Sequence, residues 1–183
     1  MSDTGVKYAA TVTEGSGGNE VWDSGTLDVA ALNSVGSDYA LLTGAAFDLN
    51  KTGNPVYCSN FSMGIPVGAQ ITGIMVEISV TNVATKGGVC DNVVQLSKVA
   101  GTGVGDNKAS ATLYSTSGYA TRTYGGSDQL WGTSWSIAEI NATGFGVIYQ
   151  PISKDPNEDM GLDFIRITVY YSVLVANLIV NII

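Results

Sequence analysis

The sequence predicts an all-β protein: an antiparallel β-sandwich, jelly-roll-like, with an extended N-terminal arm and an apolar C-terminal strand. Three observations carry that prediction. Val, Ile, Thr and Tyr recur in short runs while charged residues make up only 13% of the chain, a composition suited to pleated, half-buried strands. Gly is abundant, at 23 of 183 residues, and turn signals cut the runs into about eight to ten pieces. Two stretches, 74–81 and 164–171, alternate with a period of two, which gives each strand one apolar row. Two half-apolar sheets can bury those rows only against each other.

Taken in order, residues 1–18 read as an arm or an edge strand, with a brief alternating piece from Tyr8 to Thr13. Residues 19–171 form the sandwich domain. Within it, Asp38 to Leu42 lies between Gly36 and Gly44 as a short strand, and VYCSNFSM after the Asn54-Pro55 turn is a second. The clearest signal is ITGIMVEISVTNV, where Ile74, Val76, Ile78 and Val80 share a face opposite Met75, Glu77, Ser79 and Thr81. After Gly87-Gly88, VCDNVVQLSKV turns Val94 and Leu96 inward, and it is expected to be the antiparallel neighbour of that strand. GTGVGDNK lacks the Lys-Ser/Thr ending of a phosphate-binding loop and reads as a hairpin loop. Ser136, with Glu139 three residues on, has the spacing of a helix-capping box, and Gly144 would stop the helix. GFGVIYQPI and LDFIRITVYY close the domain as two strands, the second with Ile165, Ile167, Val169 and Tyr171 on one face.

Chemistry is mostly excluded. With no histidine, Ser-His-Asp and Cys-His nucleophile systems and imidazole zinc sites are ruled out. No catalytic residue, cofactor or metal is predicted. Asp155, Glu158, Asp159 and Asp163 crowd one region, KDPNEDMGLD, and are read as a solvated turn rather than a glycosidase pair. Neither they nor Asp91 with Asp106 match a calcium loop. Cys58 and Cys90 are expected as free buried thiols, because the start of the chain lacks the pattern of a secretory signal and synthesis in a cytoplasm is expected. Without a secretory route, the glycosylation tripeptides at Asn60 and Asn141 carry no weight. A pI near 4.2 with eight scattered basic residues argues against a nucleic-acid partner. Tyr119, Tyr124, Trp131 and Trp135 lie close in sequence. They are either core or seam residues, or a stacking platform for a host glycan.

The order SVTNVATKGGVCDNVVQLSK, GVGDNKAS, YGGSDQLWGTSWSIAEINATGFGV and LDFIRITVYY resembles a β-sandwich domain of tailed-bacteriophage virion structural proteins. The most distinctive pieces are DNVVQL from Asp91, GDNKA from Gly105, and the run from Tyr124 to Val147, and the resemblance spans about Lys7 to Tyr171. It implies a non-enzymatic virion component assembled in the host cytoplasm, most simply a capsid decoration or head-fibre subunit that binds the shell and its own copies. The alternative is a tail-tip or fibre-associated receptor protein that binds glycan.

Residues 172–183 depart from that family pattern as an apolar C-terminal extension. Val173, Leu174, Val175, Leu178, Ile179, Val180, Ile182 and Ile183 are eight large aliphatics, and no charge follows Arg166. The stretch is too short and too interrupted by Asn177 and Asn181 for a membrane span of about 20 apolar residues, so no membrane partner is predicted. β-branched content favours a strand, although a helix would also align Asn177 with Asn181. Burying eight such side chains is worth roughly 12–24 kcal/mol before ordering entropy is subtracted. The extension is therefore expected to pack between chains, most simply in a homotrimer, or against another virion protein such as the capsid.

Overall fold

The computed structural model describes residues 1–33, 35–36, 38–45, 47–83, 88–115 and 118–173. Among them are β1 (Ser2–Asp3), β2 (Lys7–Tyr8), β3 (Thr11–Glu14), β4 (Ala40–Leu42), β5 (Val56–Ser59), β6 (Ala69–Asn82), β7 (Val89–Val99), β8 (Thr102–Val104), β9 (Tyr119–Gly126), β10 (Gly146–Ser153) and β11 (Met160–Val173). One short helix, α1 (Ile137–Asn141), precedes β10. The strands form two antiparallel sheets. One runs β4, β11, β6, β9 and the other β5, β10, β7, β8. This is a jelly roll, in which successive strands keep changing sheet.

The N-terminal strands extend both sheets. β1 and β2 pair with β11 at Tyr170–Tyr171 and Arg166–Ile167, and β3 pairs with β5. Between them Ala9 is buried, so the chain crosses from one sheet to the other and covers the side of the sandwich.

The core follows the period-two rows. Ile74, Val76 and Ile78 of β6 lie opposite Val169, Ile167 and Ile165 of β11, and all six are fully buried. Such cross-strand apolar pairs are the unit of sheet stabilisation. Val94 and Leu96 of β7 are buried from the facing sheet. Ser136 caps α1 as expected: its Oγ accepts from the Glu139 N–H at 3.2 Å, and the Glu139 carboxylate accepts from the Ser136 N–H at 2.8 Å. The helix ends at Asn141 and Ala142 is already extended, two residues before Gly144.

Three expectations change. β7 is not the neighbour of β6 but belongs to the other sheet, between β10 and β8. Both strands have an inward apolar row, and facing rows bury as well as adjacent ones. The strand expected from Val56 onward stops at Ser59, because Asn60 and Ser62 adopt left-handed φ values of 59° and 52°. β9 is a strand that its pattern concealed. Its inward positions, Ala120, Arg122 and Tyr124, are small, charged and phenolic rather than aliphatic.

Candidate functional site

The four rings grouped by sequence do not assemble into one platform. Tyr124 turns inward from β9 and is 6% exposed, Trp131 1% and Trp135 9%, whereas Tyr119 is 42% exposed. Trp131 donates its indole N–H to the Ile74 carbonyl at 2.9 Å, and Trp135 donates to the Leu130 carbonyl at 3.0 Å while meeting Phe145 edge-to-face at 5.4 Å. The platform reading is corrected for these three: strand parity and indole hydrogen bonds draw them into the core. Tyr119 instead pairs edge-to-face with Tyr39, ring centroids 6.3 Å apart. Tyr39 borders a groove of about 310 Å³ that also includes Thr26, Asp28 and Asp38, residues to which sequence reasoning had assigned no role.

Behind β9 lies a polar network that sequence reasoning missed. Asp91, from β7, accepts from the hydroxyls of Tyr114 and Tyr124, each at 2.6 Å, from the Ser110 N–H at 3.0 Å and from Arg122 at 3.2 Å. The Arg122 guanidinium lies 3.7 Å from the centre of the Tyr114 ring. Burial, reinforced by the nearby Asp91 charge, pushes both phenols well above their ordinary value of 10.0. Because β7 and β9 belong to different sheets, Asp91 bolts the two layers together. It does not meet Asp106, which pairs with Lys108 at 3.8 Å.

The acidic region is only partly a solvated turn. Asp163 is 1% exposed and accepts from the Gly36 N–H at 2.9 Å. Glu158 is fully buried, and among the described residues neither carboxylate oxygen has a hydrogen-bond partner. Among the described residues no group of three or more His, Cys, Asp or Glu side chains could hold a metal ion. Cys58 and Cys90 are free and buried, and burial pushes the Cys58 thiol up to about 12. β10 runs between their strands, with Cys58 opposite Val147 and Cys90 opposite Ile152, so two strand spacings and five residues of offset set them roughly 19 Å apart.

At the end of β11, burial decays. Met160, Ile165, Ile167 and Val169 are fully buried, Tyr170 to Ser172 are half-buried, and Val173 is 49% exposed. Val173 pairs with Ala69, the first residue of β6. Ala69 and Ile71 line a groove of about 450 Å³ whose other wall is Leu130, Trp135 and Ile137, with Gln70, Ser134 and Ser136 as its polar members. Of the predicted contact residues, Val173 lies in the structure. Leu174, Val175, Leu178, Ile179, Val180, Ile182 and Ile183, and with them the choice between strand and helix, lie outside the described residues. Among the described residues no helix is long and apolar enough to cross a membrane.

No protein-family model and no curated protein matches the chain. Among solved structures, the chain is similar to the CBM22-1 xylan-binding domain from Paenibacillus barcinonensis Xyn10C, at 12% identity over 94% of this chain and 97% of that one, with a TM-score of 0.46. It is also similar to the N-terminal CBM22-1-CBM22-2 tandem domain of the same Xyn10C, at 13% identity over 94% of this chain and 47% of that one, with a TM-score of 0.47. No residue role or ligand is carried over from either. The class the fold defines is a jelly-roll β-sandwich.

Proposed function

We propose that this chain is a non-enzymatic structural protein of a tailed-bacteriophage virion, a capsid decoration or head-fibre subunit that binds the shell and its own copies. The observation that carries this reading is the end of β11, where burial falls off while the strand is still paired with β6. The core is closed by Val169, yet the sequence continues through half-exposed Val173 into ten further residues without a charge. A stretch of that composition calls for cover from water, and a neighbouring polypeptide is the cover this reading assigns to it. The mechanism is surface complementarity, with no chemical step, and the resemblance of residues 7–171 to virion β-sandwich domains points the same way. Antibody labelling and density of purified particles test it. The chain is expected on the particle surface at many copies, and particles lacking it throughout would overturn the reading.

A second reading, glycan recognition at the host surface, is favoured by one observation. The exposed Tyr119 and its partner Tyr39 stand beside the groove that holds Asp28 and Asp38, and aromatic faces next to carboxylates suit sugar rings and their hydroxyls. A glycan array on the intact chain, repeated with Tyr119→Ala and Tyr39→Ala, tests it: specific binding lost in both variants supports the reading, and an empty array removes it.

A further inference from the structure

We infer that the groove lined by Ala69, Ile71, Leu130, Trp135 and Ile137 receives residues 174–183 of a second copy of this chain. The inference rests on the structural-subunit reading above and names the site through which copies hold one another.

Position comes first. β11 delivers the start of the extension to Ala69, a residue of the groove itself. The groove lies on the far side of β6 from β11, since its other wall, Leu130 to Ile137, continues from β9. β9 pairs with β6 only from Ile74 to Thr81, so among the described residues no strand flanks Ala69 to Ile71 on that side. Leu130, Trp135 and Ile137 face that stretch across the groove instead, and side chains entering the groove would meet them.

Chemistry comes second. No charged residue lines the groove, and residues 174–183, LVANLIVNII, contain none. In extended form Leu174, Ala176, Leu178, Val180 and Ile182 make one wholly apolar row, suited to the wall of Ile71, Leu130, Trp135 and Ile137, while Asn177 and Asn181 face away. At its rim Lys98, which donates to the Ser134 carbonyl at 3.0 Å, and Glu139, which accepts from the Ser136 N–H, pair with each other at 2.8 Å, so no net charge there favours a membrane surface or a charged peptide.

Reach selects the second copy. To enter its own groove the extension would have to reverse over the end of β6 immediately after Val173. It has no Gly or Pro, and five of its ten residues are β-branched, a composition that resists a tight turn. Running straight, ten residues span about 33 Å, enough to cross to a neighbouring molecule. Each copy then gives one segment and receives one, and a closed ring such as a trimer satisfies every groove.

The test is complementation. Light scattering after size exclusion is expected to show the full chain self-associated. The chain ending at Val173, and the full chain carrying Ile137→Asp, are expected to be folded monomers with self-association weakened at least tenfold. Mixed, these two monomers are expected to pair one to one, because one keeps the groove and the other keeps the segment, and Trp135 fluorescence should shift on mixing. A monomeric full chain, an Ile137→Asp protein that still associates, or two folded variants that ignore each other would each overturn the inference. Leu130→Asp replaces Ile137→Asp if the latter does not fold. Particle labelling reads the virion role separately: docking without particles, or particles without docking, separates the failure of one from the failure of the other.

Discussion

Trp131 and Tyr119 flank the same strand and belong to the same class of amphipathic ring, yet one is 1% exposed and the other 42%. Trp131 sits at a left-handed φ of 60°, which swings its indole under β6 to reach the Ile74 carbonyl. Tyr119 occupies an outward position at the start of β9 and touches only Tyr39 among aromatic rings of the described residues. In a sandwich, the direction in which the backbone points a ring decides whether it holds layers together or is offered to a partner. Ring type decides neither.

Substitutions on the two sides sharpen that contrast. Trp131→Ala should lower unfolding free energy by about 3–5 kcal/mol, measured by urea denaturation; a loss below 1 kcal/mol would mean that the ring is not part of the core. Asp91→Ala leaves Arg122 and two phenols without their shared acceptor and should cost on the order of 3 kcal/mol, with Tyr124→Phe milder. Alkali probes the same network. Tyr114 and Tyr124 have values raised above 10.0 in the folded state, so the folded chain holds their protons more tightly than the unfolded chain does. Their contribution is complete below pH 10 and is lost as pH rises beyond it. The melting temperature should therefore fall above pH 10, less steeply in Tyr124→Phe, and equal slopes in the two proteins would contradict the assignment.

Acid should have a smaller effect. Lys98, 2.8 Å away, together with the Ser136 cap holds the Glu139 carboxyl down at about 2, against an ordinary 4.5. Its stabilisation is present above pH 4.5 and is lost as pH falls toward 2, so Glu139→Gln should flatten that part of the melting profile. Smallest of all is Tyr119→Ala, expected to change stability by less than about 0.5 kcal/mol while removing half of the exposed aromatic pair. A large destabilisation there would place Tyr119 with the core rings after all.

The sandwich was legible because β6 and β11 carry period-two apolar rows, and the helix because Ser136 and Glu139 carry the capping spacing. β9 was hidden because its inward row, Ala120, Arg122 and Tyr124, serves a polar network rather than an aliphatic core. Glu158 and Asp163 read as solvent-facing because charge normally is, and only the packing around Phe47 and Gly36 takes them inside: the Glu158 N–H donates to the Phe47 carbonyl and the Gly36 N–H to Asp163. The groove between β6 and the Leu130–Ile137 segment joins residues more than fifty positions apart, a distance no local pattern spans.

By itself the sequence determined the strands that carry an aliphatic period-two row, where α1 starts, and that imidazole chemistry is absent, since pleat, capping and composition are properties of neighbouring residues. Tertiary structure alone decided that β7 faces β6 instead of lying beside it, that Asp91 joins the two layers, and that the end of β11 opens beside an apolar groove. Backbone hydrogen bonds are chemically alike in every strand, so the choice of partner falls to how whole side-chain rows fit across the sandwich, and that fit exists only once the chain has closed.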